Sequence, residues 1–367
     1  MEHGKVLCAV DQIPKAARVA LFGAGDVGAR FAAFLQERRS DVVIDHFIDA
    51  RVTGPIGGVR VVSPEAHFEG NAPVDLVIVT MLGADRVEPQ LRARGFERYL
   101  KLNQHLVPAS GQLYTDGGTA LAANLARVRA LLAEPSDRAL YDLLTSCRSA
   151  GHDAFARFFA GFAFQGRQYL DFLRPDAIKT VVEGGIWDGQ STARFLATWG
   201  ESTRIIGFEP FIENFLESPR APALLANPNV RIEPFGLWKH EDTLPLELRL
   251  DGSSAIARGS AAPETKVKSI DVVALDDYLP AQGIESIDLL KLDVEAAEPE
   301  VLLGATRTLR RCRPQLAISI YHQKQQMYEI PLFLARLLDD YVFRLGHYNP
   351  KTPFEETVLY GIPRELM

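Results

Sequence analysis

Along the chain, apolar runs of strand length alternate with amphipathic stretches of helix length, and the alternation occurs twice. The first series opens with Arg18–Phe22, which runs straight into Gly23, Gly25 and Gly28. A helical stretch to about Glu37 follows, then Val42–Ile44 with Phe47–Ile48, Val74–Thr80 and Tyr99–Leu102. Strand, helix, strand in this order predicts a parallel sheet, because parallel neighbours need a crossover between them. Pro108–Gly111 reads as the break that ends this domain near residue 110. From about 119 to 175 the period turns helical. Leu121, Leu125, Val128, Leu131 and Leu132 recur at three- and four-residue steps and mark one apolar face. Phe155, Phe158, Phe159, Phe162 and Phe164 cluster nearby, either as core between helices or as a substrate-facing surface.

The second series begins at Ile178. Its predicted strands are Thr180–Val182, Arg204–Phe208, Val230–Ile232, Ile287–Leu292, Leu316–Ile320, Tyr341–Leu345 and Glu356–Tyr360, the last two close enough for an antiparallel hairpin. Between the third and fourth, Thr243–Leu250 and Thr265–Ile270 alternate apolar and polar residues as a β-ribbon does, with Asp251–Ser254 as its turn. The prediction is an α/β chain: a doubly wound domain over 1–110, a helical bridge over 111–175, and a second doubly wound domain over 176–367.

Composition narrows the class. With 367 residues, 47% hydrophobic and 24% charged, the chain suits two soluble globular domains. No apolar run approaches the roughly 20 residues that span a bilayer, and Met1–Pro14 lacks the apolar core of a secretory signal. The three cysteines, Cys8, Cys147 and Cys312, stand far apart, so a disulfide framework is not expected and the cytoplasm is the default compartment. A net charge of -7 argues against a nucleic-acid partner, which asks for a basic face. Oligomeric state stays open.

Three segments carry candidate chemistry. In Glu183–Thr192 a strand ends at an acid, glycines 184, 185 and 189 form a loop with Trp187 in it, and a helix starts near Ser191. Such a loop and helix start offer free N–H groups to an anionic group. Glu209 then ends the next strand about twenty residues on, where an acid accepts hydrogen bonds from ribose hydroxyls. Third, Lys291-Leu-Asp293-Val-Glu295-Ala-Ala-Glu298 sets three acids at a strand end, in the crevice where doubly wound sheets bind ligands. One of these acids is a candidate to balance Lys291 and another to cap the following helix.

Together, Glu183-x-Gly185-x-x-x-Gly189, Phe208-Glu209-Pro210 and the lysine-led acidic motif resemble the FkbM family of S-adenosylmethionine-dependent methyltransferases. The likeness runs from Gln168-Tyr-Leu-Asp171 to the closing strand near Tyr360. Glu183 stands where the family usually has Asp, and Ala296 where it usually has Gly. The resemblance implies a seven-stranded methyltransferase sheet and methylation of hydroxyls, often on sugars or glycan-linked products. It implies S-adenosylmethionine as cofactor, with Glu183, Gly185, Trp187, Gly189, Ser191 and Asp293 around it and Glu209 on its ribose. Transfer to an alcohol also calls for a base. Asp293 and His322, the latter just past the strand Leu316–Ile320, are the two candidates. A metal-assisted variant would place Mg²⁺ on Asp293, Glu295 and His322.

In the first domain Gly23, Gly25 and Gly28 follow a strand, and Asp49 lies about twenty residues beyond, which meets the dinucleotide fingerprint. With Phe47–Asp49 and Ile56–Val62 the region resembles the small N-terminal Rossmann-type subdomain of bacterial sugar acetyltransferases. That implies a nucleotide or nucleotide-sugar ligand, or a docking module that has lost it. Both domains are thus expected to be Rossmann-like. The leading expectation is an O-methyltransferase with a small-molecule or glycan acceptor. The alternatives are an NAD(P)-dependent oxidoreductase, which would need a Tyr-x-x-x-Lys or substrate domain that does not stand out, and a non-catalytic binding protein of the same fold.

Overall fold

The computed structural model describes residues 5–69, 74–81, 87–93, 98–103, 106–107, 112–114, 118–149, 152–161, 166–248, 254–256 and 266–367. Pro108–Gly111, Phe162, Phe164, Asp251–Ser253 and the ends of the two ribbon segments (Arg249, Leu250 and Thr265) lie outside them. The chain forms two compact units, one of residues 1–113, 150–162 and 351–353, the other of 114–149, 163–350 and 354–367.

The first unit holds a six-stranded sheet of β1 (Val6–Leu7), β2 (Arg18–Phe22), β3 (Val43–Ile48), β4 (Val61–Val62), β5 (Leu76–Val79) and β6 (Tyr99–Leu102). Their order is β1-β6-β5-β2-β3-β4, with every pair parallel. β1 and β4 are two residues long, too short to show a period in sequence. The two apolar runs at 42–48 are one strand, although Asp45 and His46 interrupt them. Buried His46 keeps its place by bonding Asp45 Oδ2 through Nδ1 and His67 Nδ1 through Nε2, each at 2.8 Å. Leu21, Phe31, Leu35, Phe47 and Ile78 are fully enclosed in the core. Helix His152–Gly161 belongs here, and Phe155 and Phe158 are buried, so these two rings serve packing.

The second unit takes helices Thr119–Leu131 and Pro135–Arg148. Its main strands are β7 (Thr180–Gly184), β8 (Arg204–Phe208) and β9 (Val230–Glu233). A four-stranded insertion of β10 (Gly236–Leu237), β11 (Asp242–Leu248), β12 (Ser254–Ile256) and β13 (Lys266–Val273) follows. The series closes with β14 (Leu289–Leu292), β15 (Gln315–Ser319), β16 (Tyr341–His347) and β17 (Thr357–Pro363). The large sheet runs β16-β17-β15-β14-β7-β8-β9 and is parallel except for β17, which opposes both neighbours. Its inner strands are apolar on both faces because both are covered: Val181, Val182, Ile205, Ile206, Leu289, Leu290, Leu316 and Ile318 are all fully buried. The order reverses between β7 and β14, which opens a crevice beyond their C-terminal ends.

The ribbon pairs β11 with β13 antiparallel, from Asp242 opposite Val272 to Leu248 opposite Lys266. Ile270 and Val272 pack on Phe211, and Lys268 Nζ reaches Glu213 at 2.5 Å. This fixes the ribbon against the segment that follows Glu209.

Candidate active site

Register creates the foundation of the site. β7 and β14 pair so that Glu183 is opposite Lys291. Both side chains are enclosed, with Lys291 Nζ 3.5 Å from Glu183 Oε1. Ser191 and Thr192, on the first turn of helix Gln190–Trp199, donate their hydroxyls to the same carboxylate, Thr192 at 2.7 Å. Lys291 also donates to the carbonyls of Gly184 and Gly185 and lies 4.9 Å from the Tyr169 ring centre. The partner of Lys291 is therefore an acid of the first strand, not one of its own motif. Glu183 acts inward: it ties the helix start to the sheet.

The turn at 184–189 is pressed against β14. A Cβ on Gly185, whose φ is +75°, would lie 1.8 Å from the carbonyl oxygen of Asp293. One on Gly189 (φ +78°) would meet Leu224 at 2.7 Å. These glycines are needed first for protein against protein. Asp188 pins the turn from outside, its Oδ2 2.7 Å from Arg220. Between the glycines Trp187 stands in the left-handed region (φ +51°) and is 63% exposed. An indole held in a strained backbone yet left open to solvent offers a stacking face.

Glu209 faces the same turn. Its Oε2 accepts the Trp187 N–H at 2.9 Å and its Oε1 the Phe211 N–H at 3.0 Å. The Ile186 N–H also favours this carboxylate, which keeps acceptor capacity for a hydroxyl beyond these bonds. Burial raises its pKa, opposed by those N–H groups and by Lys291.

Across the crevice lies the acidic loop. Asp293 accepts the Tyr169 hydroxyl at 2.8 Å and the Tyr321 hydroxyl at 3.3 Å. Burial works to raise its pKa, but His322, Lys291 and the hydroxyls of Tyr169 and Ser319 outweigh it and hold the group below the usual carboxylate range. Glu295 and Ala296 both adopt left-handed backbone, φ +51° and +79°. Ala296 thus occupies a glycine-type conformation. Ala296→Gly should stabilise the fold by about 0.5–1 kcal/mol, read as a rise of about 2 °C in Tm. Glu298 is fully buried: Oε1 accepts the Val294 N–H at 2.9 Å and Oε2 the Gln326 amide at 2.8 Å, stapling the loop to the next helix.

His322 sits among these acids, with Nδ1 2.9 Å from Glu298 Oε1 and Nε2 3.4 Å from Asp293 Oδ1 and 3.8 Å from Glu295 Oε2. Burial alone would lower its pKa, but the three carboxylates push it up to about 9. At neutral pH it is an imidazolium and cannot take a proton. A group whose pKa rises on folding stabilises fully below its unfolded value of 6.5, and the contribution fades as pH climbs through about 9. The native state should therefore lose on the order of 3 kcal/mol between pH 6.5 and 9.5. Urea titrations across that range should show this slope in the natural chain and lose it in His322→Gln. Asp293, Glu298 and His322 each bring one donor atom within 4.8 Å of the others, so the tight trio contains Glu298 where the sequence suggested Glu295.

In the first unit, Gly28 lets its helix approach β2, since a Cβ there would be 2.1 Å from the Gly23 carbonyl oxygen. Gly23 has φ +115°, and Gly25 opens onto free space. Asp49 turns inward, accepting N–H groups of Ala24 at 2.8 Å, Arg51 at 2.8 Å and Val52 at 3.1 Å. Tyr169, Ser319, Tyr321 and Glu356 join the large site without having been singled out from sequence. For Tyr169 and Tyr321 a signal existed, since one lies in Gln168–Asp171 and the other precedes His322.

With this geometry in view, residues 183–345 match the methyltransferase FkbM domain family. This segment is an FkbM-family methyltransferase domain. Over 71 residues the chain is 38% identical to the 2-O-methyltransferase NoeI of Sinorhizobium fredii, which covers 19% of this chain. The chain spans only 28% of the length of that curated relative. The crystal structure of methyltransferase FkbM from Methylobacillus flagellatus matches with a TM-score of 0.56 at 18% identity, over 96% of this chain and 92% of that one. That likeness is one of fold. The match runs from Glu183 to Leu345, so it takes in the glycine turn, Glu209, the acidic loop and His322.

Proposed function

We propose that the chain is an S-adenosylmethionine-dependent O-methyltransferase acting on a hydroxyl of a sugar or glycan-linked metabolite. The observation that carries it is the pairing of two unlike carboxylates across one crevice: Glu209 with spare acceptor capacity beside exposed Trp187, and Asp293 kept ionised among Tyr169, Tyr321 and His322. This donor set fits the cofactor. Glu209 would hold a ribose hydroxyl, Trp187 would cover an apolar face, and the Gly185–Gly189 turn with the helix start at Gln190 and Ser191 would meet the amino-acid end. Glu183 and Lys291 hold that turn in place. When bound, S-adenosylmethionine supplies a methyl group on a sulfonium, an excellent leaving group. The residues of this chain then orient the acceptor hydroxyl and take its proton. Asp293 is the base at neutral pH, and the His322 imidazolium keeps it ionised and aimed. Alignment of the acceptor is worth several kcal/mol and the base about 10²–10⁴-fold.

The name of the S. fredii relative specifies transfer to oxygen, which supports an alcohol acceptor here. In the first unit the open Gly25 supports a nucleotide or nucleotide-linked sugar at the Gly23–Gly28 turn, beside Asp49. Both units are read as doubly wound, Rossmann-like domains. The test of the methyltransferase reading is a thermal-shift titration with S-adenosylmethionine and S-adenosylhomocysteine, then labelled methyl transfer to glycan precursors with and without excess chelator. Binding and transfer that survive the chelator are expected. Absence of any shift with either nucleoside sinks the reading, and transfer lost to the chelator would move Asp293, Glu298 and His322 to a metal role.

A further inference from the structure

The match to the FkbM family ends at Leu345, before β17, yet the residue that precedes β17 brings an acid to the site. Because β17 runs antiparallel to β15, with Val358 opposite Ser319, its start lies beside the residues that follow the end of β15. Ile320 donates its N–H to the Thr357 carbonyl at 3.0 Å, so Glu356 comes alongside Tyr321. Gln168, entering from the other side, donates its amide to Glu356 Oε2. Glu356 is half-buried and stands in the left-handed region at φ +57°, a conformation that a glutamate adopts only at a cost. Burial and the charge of Asp293 raise its pKa, with Gln168 and His322 opposing. Its Oε1, and the Oε1 of Gln168, make no hydrogen bond among the described residues. Glu356 serves neither the cofactor turn nor the acidic loop.

We propose that Glu356 and Gln168 form the acceptor-recognition pair, gripping a hydroxyl adjacent to the one that is methylated, which makes a vicinal diol of a saccharide ring the required substrate feature. This rests on the methyltransferase reading above. A carboxylate and an amide locked to each other present two acceptors and one donor in fixed geometry, which suits two neighbouring hydroxyls, each both donor and acceptor. A site built to bond a hydroxyl rejects the analogue that lacks it, because its own polar groups are then left unpaired.

The probes are methyl α-D-mannopyranoside, methyl β-D-glucopyranoside, methyl α-L-rhamnopyranoside and their monodeoxy forms, with labelled S-adenosylmethionine and the full chain. The unaltered chain is expected to methylate at least one glycoside and to lose at least tenfold in kcat/KM on the form lacking the neighbouring hydroxyl. Glu356→Gln should raise KM at least tenfold with kcat within about threefold, and should no longer distinguish parent from deoxy form. Glu356→Gly, which suits the backbone, should keep its melting temperature yet show the same KM defect, separating recognition from folding. S-adenosylhomocysteine affinity should stay unchanged in both variants. Unaltered KM in Glu356→Gln, or cofactor binding without transfer to any of these glycosides, overturns the pair's role while leaving the methyltransferase reading standing. Failure of the unaltered chain to bind S-adenosylhomocysteine defeats both.

Discussion

Lys291→Met should destabilise the second unit by about 3–5 kcal/mol and lower its Tm by roughly 10 °C. Methionine fills similar space, so packing is not what is lost. The change leaves Glu183 wholly enclosed without its cation and removes the donor to the carbonyls of Gly184 and Gly185. Breaking one side of a buried pair is costly because the other charge remains. Glu183→Gln added to Lys291→Met should therefore recover much of the loss, since Ser191 and Thr192 still serve a neutral amide. Thermal and urea denaturation of the two single variants and the double variant provide the check. A double variant as unstable as the sum of the singles would mean that the two groups do not act as a pair.

Asp293→Asn should lower kcat by about 10²–10⁴-fold while S-adenosylhomocysteine affinity changes less than about threefold. The hydroxyls of Tyr169 and Tyr321 donate to different oxygens of this side chain; asparagine keeps an oxygen for one and can donate its amide N–H to the other, so the local frame persists. What disappears is the capacity to accept a proton. The residue also loses its charge opposite His322, whose pKa should fall from about 9 when one of its three acids is neutral. Rate measurements from pH 6 to 10 then separate the two candidate bases. Activity in the natural chain that holds at neutral pH and declines above about 9 supports Asp293 with an imidazolium partner. A rate that climbs through pH 9 would instead make neutral His322 the base, and so would full turnover in Asp293→Asn.

The strands of the large sheet were legible because each is a short segment dominated by apolar residues: Arg204–Phe208 is found as read, and the other six differ by a few residues at their ends. The acids were legible too, as polar residues that end such runs. Their partners were not. Glu183 and Lys291 are far apart in sequence and meet only through strand register. The role of His322 changes with its surroundings: beside one carboxylate it would titrate near neutrality, but among three it stays charged. One of the three acids read as a cap for the following helix; Glu298 staples the loop, and its buried contact with His322 comes only from the fold. Glu356 was hidden because it read as the first residue of a strand, whereas its backbone is left-handed and the strand starts one residue later. Gly185 had a visible reason to be glycine, though the neighbour it makes room for, the Asp293 carbonyl, could not be named.

That close approach has a consequence for how the molecule is made. β7 leaves the ribosome long before β14, yet the wall of the pocket includes the backbone of Asp293, pressed against Gly185. A nascent chain that has completed the glycine turn and Glu209 still owns half a pocket, with Glu183 lacking its counter-charge. Ligand capture during synthesis must wait for the whole insertion to emerge, and vectorial folding of this unit is postponed to the same moment.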